Sequence, residues 1–192
     1  MNQLVFATAN KNKVLEIQKI MDGHYKFLSL MDIGCLEEIP ETQQTIKGNA
    51  LQKARYVYEN YGKNCFSEDT GLIIDALNGA PGVYSARYGG PEKDANANID
   101  KVLRELGATE NRNAHFKTVI ALILDGKEYT FEGIVNGTIL KNRRGSFGFG
   151  YDPVFLPLGK FKSFAEMSSE DKNKISHRGI ATDKLKSFLL NL

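Results

Sequence analysis

The sequence predicts a mixed α/β fold, and three features of the 192-residue chain carry that assignment. Short apolar runs alternate with stretches whose apolar residues recur at helical spacing. Two long strand-like runs meet at Asp125-Gly126, a two-residue hairpin signal, so the sheet holds an antiparallel pair beside strands joined through helices. No linker, internal repeat or low-complexity tract interrupts the chain, which reads as a single domain over residues 1–192.

Leu4 to Thr8 is a short apolar run that reads as a strand. Val14, Ile17 and Met21 then mark a helix that Gly23 is placed to end. Lys26 to Leu30 reads as a second strand, and a polar loop leads to Pro40 and Glu41. Ile46, Ala50, Ala54, Val57, Tyr58 and Tyr61 share one face of a helix closed by Gly62. Asn64 to Ser67 and Leu72 to Asp75 are apolar runs flanking Glu68-Asp69-Thr70-Gly71, which predicts the acidic pair at a strand end or bend. Ala95, Ile99, Val102, Leu103 and Leu106 form another helical stripe, ended by Gly107. Residues 114–124 and 127–140 are the hairpin strands. A glycine-rich loop at 145–150, a short strand at Val154 to Leu156, and a helix presenting Ile180, Leu185, Phe188 and Leu189 complete the chain.

Composition narrows the function classes. With 42% hydrophobic residues the chain has material for a real core without disulfides, and Cys35 and Cys65, in no metal or redox motif, are expected to pack as free thiols in a reducing compartment. A formal net charge of +2 argues against a dedicated nucleic-acid binder. No apolar run approaches the ~20 residues of a membrane span, and the first residues lack the pattern of a secretory leader, so a cytoplasmic protein is expected.

Several segments can carry chemistry. Thr8-Ala9-Asn10-Lys11-Asn12-Lys13 lies where a strand gives way to a helix, a place whose free N–H groups favour an anion; the same residues also suit a helix cap with a solvated charge. Asn49 and Lys53 share a helix face offset from the apolar stripe, where a lysine is commonly solvated. Glu68 and Asp69 point to opposite sides of an extended strand, and Asp69 is favoured for the site, with Thr70-Gly71 expected to bend the chain there. Glu41, with Glu37 and Glu38 as nearby rivals, is the second carboxylate. Two carboxylates completed by phosphate oxygens and water suit Mg²⁺.

The loop Gly145 to Pro153 interleaves three glycines with aromatics. Phe149 or Tyr151 could stack on a nucleobase, and Asp152 could accept from a base N–H; the alternative is a loop anchored by its aromatics. Lys172 precedes Ser176-His177-Arg178-Gly179 at a helix junction, where imidazole and guanidinium are either base-reading donors or members of a surface ion pair.

Taken in order, TANKNK (8–13), Pro40-Glu41, NALQKA (49–54), SEDTGL (67–72), GAPGVYSARY (79–88), GFGYDP (148–153) and FAEMSSEDKNKISHRG (164–179) resemble the inosine triphosphate pyrophosphatases over nearly the whole chain. The resemblance implies an elongated mixed-sheet fold of two lobes with the active-site cleft between them. It also implies a homodimer and Mg²⁺-dependent hydrolysis of non-canonical purine nucleoside triphosphates (ITP, dITP, XTP) to the monophosphate and pyrophosphate, with no nucleic-acid or membrane partner. It assigns residues 8–13 and Lys53 to the polyphosphate, and Glu41 and Asp69 to the metal. Asp69 is also the proton acceptor. Thr70, Phe149, Gly150, Tyr151, Asp152, Lys172, His177 and Arg178 are assigned to the nucleotide. Ala9 stands where the family commonly has glycine, and Glu68 where some members have a second Asp. The rivals are a septum-inhibitor-type pyrophosphatase and a nucleotide sensor without turnover. Against a sensor, Glu41 and Asp69 would repel a polyanion unless a metal intervened.

Overall fold

A hairpin and a run of strand–helix units organise the structure, a computed structural model that describes residues 3–21 and 25–192. Strands β1 (Gln3–Phe6), β2 (Lys26–Leu28), β3 (Cys65–Ile74), β4 (Asn113–Leu124), β5 (Lys127–Ile139) and β6 (Phe155–Pro157) form one sheet in the order β2-β1-β3-β4-β5-β6. β1 runs parallel to both β2 and β3, while β6 is antiparallel to β5, so the sheet is mixed. Asp125 and Gly126 both take positive φ, 49° and 78°, as a two-residue turn matched to strand twist requires.

The helices are α1 (Lys11–Ile20), α2 (Ile46–Tyr61), α3 (Ala95–Leu106), α4 (Ser169–Ile175) and α5 (His177–Leu190). Their ends follow their sequences. Thr45 accepts from the Gly48 amide at the start of α2, whose other end is closed by Gly62 at φ 61°. Asp94 caps α3 through the Ala97 amide. α1 stops at Ile20, and Gly23, expected to end it, lies outside the described residues.

The chain packs as two compact units, one of Met1–Asp69, Thr118–Gly133 and Arg178–Leu192, the other of Thr70–Lys117 and Ile134–His177. Each has its own core. In the first, Leu4, Phe6, Ile17, Phe66, Ile120 and Leu185 are buried together, with Phe6 stacked on Phe66 at 4.4 Å between ring centroids. In the second, Leu72, Ile99, Val102, Phe116, Phe155 and Phe164 fill that role. Burying each such side chain is worth about 1.5–3 kcal/mol. Cys35 and Cys65 are buried free thiols, as expected.

One local expectation is overturned. Glu68-Asp69-Thr70-Gly71 does not bend the chain: β3 runs unbroken from Cys65 to Ile74. A strand tolerates two adjacent buried acids here because each meets a cation on its own side, Glu68 meeting Arg178 and Lys13, Asp69 meeting Lys53.

Candidate functional site

Four carboxylates, Glu16, Glu41, Glu68 and Asp69, and three cations of the first unit gather around β3. Lys53, on α2, brings its ammonium 2.5 Å from Glu41 Oε1 and 3.4 Å from Asp69 Oδ1. Instead of lying solvated on the polar side of its helix, Lys53 is 6% exposed and its helix neighbour Asn49 1%. Burial pushes the Lys53 ammonium toward neutrality, but Asp69 and Glu41 more than offset it, so its pKa lies above the ordinary value. At Asp69 burial dominates: despite Lys53 and Lys13 its carboxyl is pushed up, toward readier protonation. Asp69 Oδ2 is buried and accepts no hydrogen bond from the described residues.

On the opposite side of β3, Glu68 is fully buried and takes two parallel hydrogen bonds from Arg178, with Lys13 at 3.3 Å. Arg178 also donates to Glu16 Oε2 at 2.5 Å. Arg178 is therefore no surface ion pair; it is 2% exposed. Burial lowers the Lys13 pKa more than Glu68 raises it, so its ammonium gives up a proton more readily than an exposed lysine. Glu16 is not marked out by the sequence, and Glu68 is read there only as the strand neighbour of Asp69. Glu16 shares the face of α1 with Lys13, a signal indistinguishable from an ordinary helical charge pair.

The 8–13 segment behaves first as a cap. Asn10 Oδ1 accepts from the Asn12 and Lys13 amides, and Thr8 Oγ1 from the Asn10 amide. Thr8 is half-buried, while Ala9, Asn10, Lys11 and Asn12 are exposed at the start of α1. Glu37, the rival of Glu41, is engaged elsewhere. It accepts from the Tyr61 and Tyr56 hydroxyls, and these bonds, Tyr61's first, hold its carboxyl at about 2.

The second unit contains a different cluster. Lys172, 3% exposed, donates to Asp152 Oδ2 at 2.7 Å and lies 4.8 Å from the centroid of Phe149. The same Asp152 oxygen accepts from the Phe149 amide at 2.9 Å, so one carboxylate ties the glycine-rich loop to α4. Phe149 and Gly150 are half-buried, with Gly150 at φ 60°. Tyr151 belongs to the core, its hydroxyl donating to the Ser85 carbonyl at 2.8 Å; of the other loop aromatics Phe147 is exposed and Phe149, half-buried, lies against Lys172. His177 stacks on Phe116 at 4.5 Å. Thr70 opens this unit's part of β3 directly after Asp69.

Among the described residues no three His, Cys, Asp or Glu side chains make a ready metal cage. Glu41 and Asp69 nevertheless fit a hard divalent cation completed by substrate oxygens and water. Both are drawn to one positive centre, and Asp69 Oδ2 is a buried acceptor with no donor among the described residues.

The model of the Ham1 family matches residues 4–188. A dITP/XTP pyrophosphatase of Flavobacterium psychrophilum is 55% identical over 189 residues, covering 98% of this chain and 100% of that one. One of Bacillus subtilis is 46% identical over 193 residues, covering 98% of each. The Ham1 protein of Staphylococcus aureus superposes with a TM-score of 0.91 at 36% identity over 99% of each chain, and a HAM1 protein of Coxiella burnetii with 0.92 at 36% over 100% of each. Among the described residues no helix is long and apolar enough to cross a membrane.

Proposed function

The chain belongs to the Ham1 family, and from that premise we propose that it hydrolyses non-canonical purine nucleoside triphosphates, ITP, dITP and XTP, to the nucleoside monophosphate and pyrophosphate. Such an activity cleanses the nucleotide pool and keeps these bases out of DNA and RNA. The observation that carries the chemistry is the buried carboxylate of Asp69, one oxygen facing Lys53 and the other without a donor among the described residues, beside Glu41.

Glu41 and Asp69 would hold Mg²⁺, which when bound neutralises phosphate charge and makes water more acidic. The remaining work belongs to the side chains. Asp69, whose burial raises its proton affinity, accepts the proton of a water attacking the α-phosphorus. Lys53, on a flexible four-carbon stem, and Lys13, poorly solvated beside Glu68, supply positive charge to phosphate oxygens and to the departing pyrophosphate. The amides and polar side chains of Thr8 to Lys13 and the Thr70 hydroxyl complete the polyphosphate contacts.

The purine end is read by hydrogen bonds. Hypoxanthine and xanthine present a 6-oxo acceptor, whereas adenine presents a 6-amino donor. Lys172, His177 and Arg178 are the donors proposed to select the former, with Phe149 as the stacking surface and Gly150, Tyr151 and Asp152 shaping the loop beneath it. Polar readout of this kind discriminates by about 10⁴–10⁵. The homodimer, the magnesium requirement and the cytoplasmic setting are parts of the same proposal, supported by the family resemblance.

The test is a nucleotide panel of ITP, XTP, dITP, GTP and ATP with Mg²⁺, each product separated by ion exchange. Monophosphate plus pyrophosphate from the first three, at rates far above that on ATP, is expected. Equal rates on ATP would refute the substrate assignment.

A further inference from the structure

The start of α2 is built around the segment that carries Glu41. Gln52 Oε1 accepts from the Thr42 amide at 2.9 Å, and Gln52 Nε2 donates to the Thr42 hydroxyl at 2.9 Å. Asn49 Oδ1, on a side chain 1% exposed, accepts from the Gln43 amide at 2.9 Å. Lys53 holds the Glu41 carboxylate itself. Gly48 is the fourth participant: a Cβ there would lie 2.8 Å from Gln43 Cβ and 2.9 Å from Thr45 Oγ1, so only glycine lets the segment fold down onto the helix. A glycine inside a helix costs about 1 kcal/mol relative to alanine. Four of the six residues from Gly48 to Lys53 thus engage residues 41–43, although Thr42 and Gln43 are themselves exposed and contribute little to a core.

We infer that Asn49 and Gln52 are positioning residues, which fix the backbone of Thr42 and Gln43 so that the Glu41 carboxylate stays beside Asp69. They act through Glu41 and touch neither substrate nor metal. The inference rests on the reading that Glu41 helps to hold the divalent cation. Its consequence is that metal affinity depends on two neutral amide side chains, neither of them a ligand.

Two readouts test it, neither of them turnover. The first is amide hydrogen exchange by NMR on the protein alone: Asn49→Ala should speed exchange at Gln43, and Gln52→Ala at Thr42, by about tenfold, the loss expected for one hydrogen bond. Gln52→Glu, which keeps an acceptor for the Thr42 amide, should restore slow exchange. The second is Mn²⁺ titration by electron paramagnetic resonance with a non-hydrolysable α,β-imido ITP analogue present. Asn49→Ala and Gln52→Ala should each weaken Mn²⁺ binding by about tenfold, with Glu41→Gln as the reference. If Glu41→Gln weakens Mn²⁺ and the two alanine variants do not, the positioning role is wrong and the metal reading stands. Unchanged Mn²⁺ affinity in Glu41→Gln would overturn the metal reading and this inference with it.

Discussion

Arg178 and Glu68 form a two-point ion pair, Nε to Oε2 at 2.7 Å and Nη2 to Oε1 at 2.8 Å, between side chains 2% and 0% exposed. The pair joins the first residues of α5 to the middle of β3, next to Asp69. Removing one member leaves a desolvated charge behind, which is expected to cost about 3–5 kcal/mol. Arg178→Ala should therefore show a large fall in urea unfolding free energy, and Arg178→Lys should recover only part, because an ammonium cannot offer two parallel bonds. An alanine variant within about 1 kcal/mol of wild type would show that the pair is not the anchor described.

Asp69→Asn keeps the shape of the side chain and removes the proton acceptor. Turnover of ITP should fall by at least about 10²-fold, the lower end for a general base. Binding of the α,β-imido analogue should survive, and the melting temperature should not drop, since a buried charge has been deleted. An active Asp69→Asn protein would exclude Asp69 from proton transfer.

The loop around Phe149 depends on Gly148, which sits at φ 76° and whose added Cβ would fall 2.1 Å from Asp152 Oδ2. Gly148→Ala should displace Asp152 from the Phe149 amide and from Lys172, raising KM for ITP with a smaller change in kcat. The strained backbone alone is worth about 1 kcal/mol of stability or more. Unaltered kinetics in this variant would detach the loop from substrate recognition.

Lys172→Met retains the apolar stem and removes the ammonium that bonds Asp152 and faces Phe149. The ratio of kcat/KM on ITP to that on ATP should fall by at least about tenfold, as expected when one buried donor is lost. A preserved ratio would move base readout to other donors.

Burial pushes the Cys65 thiol from 9.0 up to about 12. Folding thus keeps a proton that the unfolded chain surrenders, and the stability this contributes is full below pH 9.0 and lost as pH rises toward 12. The difference in unfolding free energy between wild type and Cys65→Ala should shrink as pH is raised from about 8 to about 10.5. Cys65 should also resist iodoacetamide until the chain unfolds. Rapid labelling of native Cys65 would contradict its burial.

What was legible in the sequence is what local patterning encodes. Asp125-Gly126 announced a hairpin because few other pairs accept two positive φ angles, and α2 could be framed by Thr45 and Gly62 for the same kind of local reason. The acidic stretch of β3 was misread as a bend because its neutralising partners are distant in the chain. Arg178 lies 110 residues from Glu68, and Lys53 lies 12 from Glu41 and 16 from Asp69. Periodicity registers Lys53 only as a charge on a helix; that it is buried depends on carboxylates delivered by two other segments. The partners of Asn49 and Gln52 were hidden for a related reason, since an amide side chain on a helix looks the same whether it meets water or a loop amide.

Water attack at the α-phosphorus by way of Asp69 can be followed by hydrolysing ITP in ¹⁸O-labelled water and locating the label by mass spectrometry. A single ¹⁸O in the monophosphate and none in the pyrophosphate is predicted. Label in the pyrophosphate, or diphosphate as the first product, would place the attack at another phosphorus.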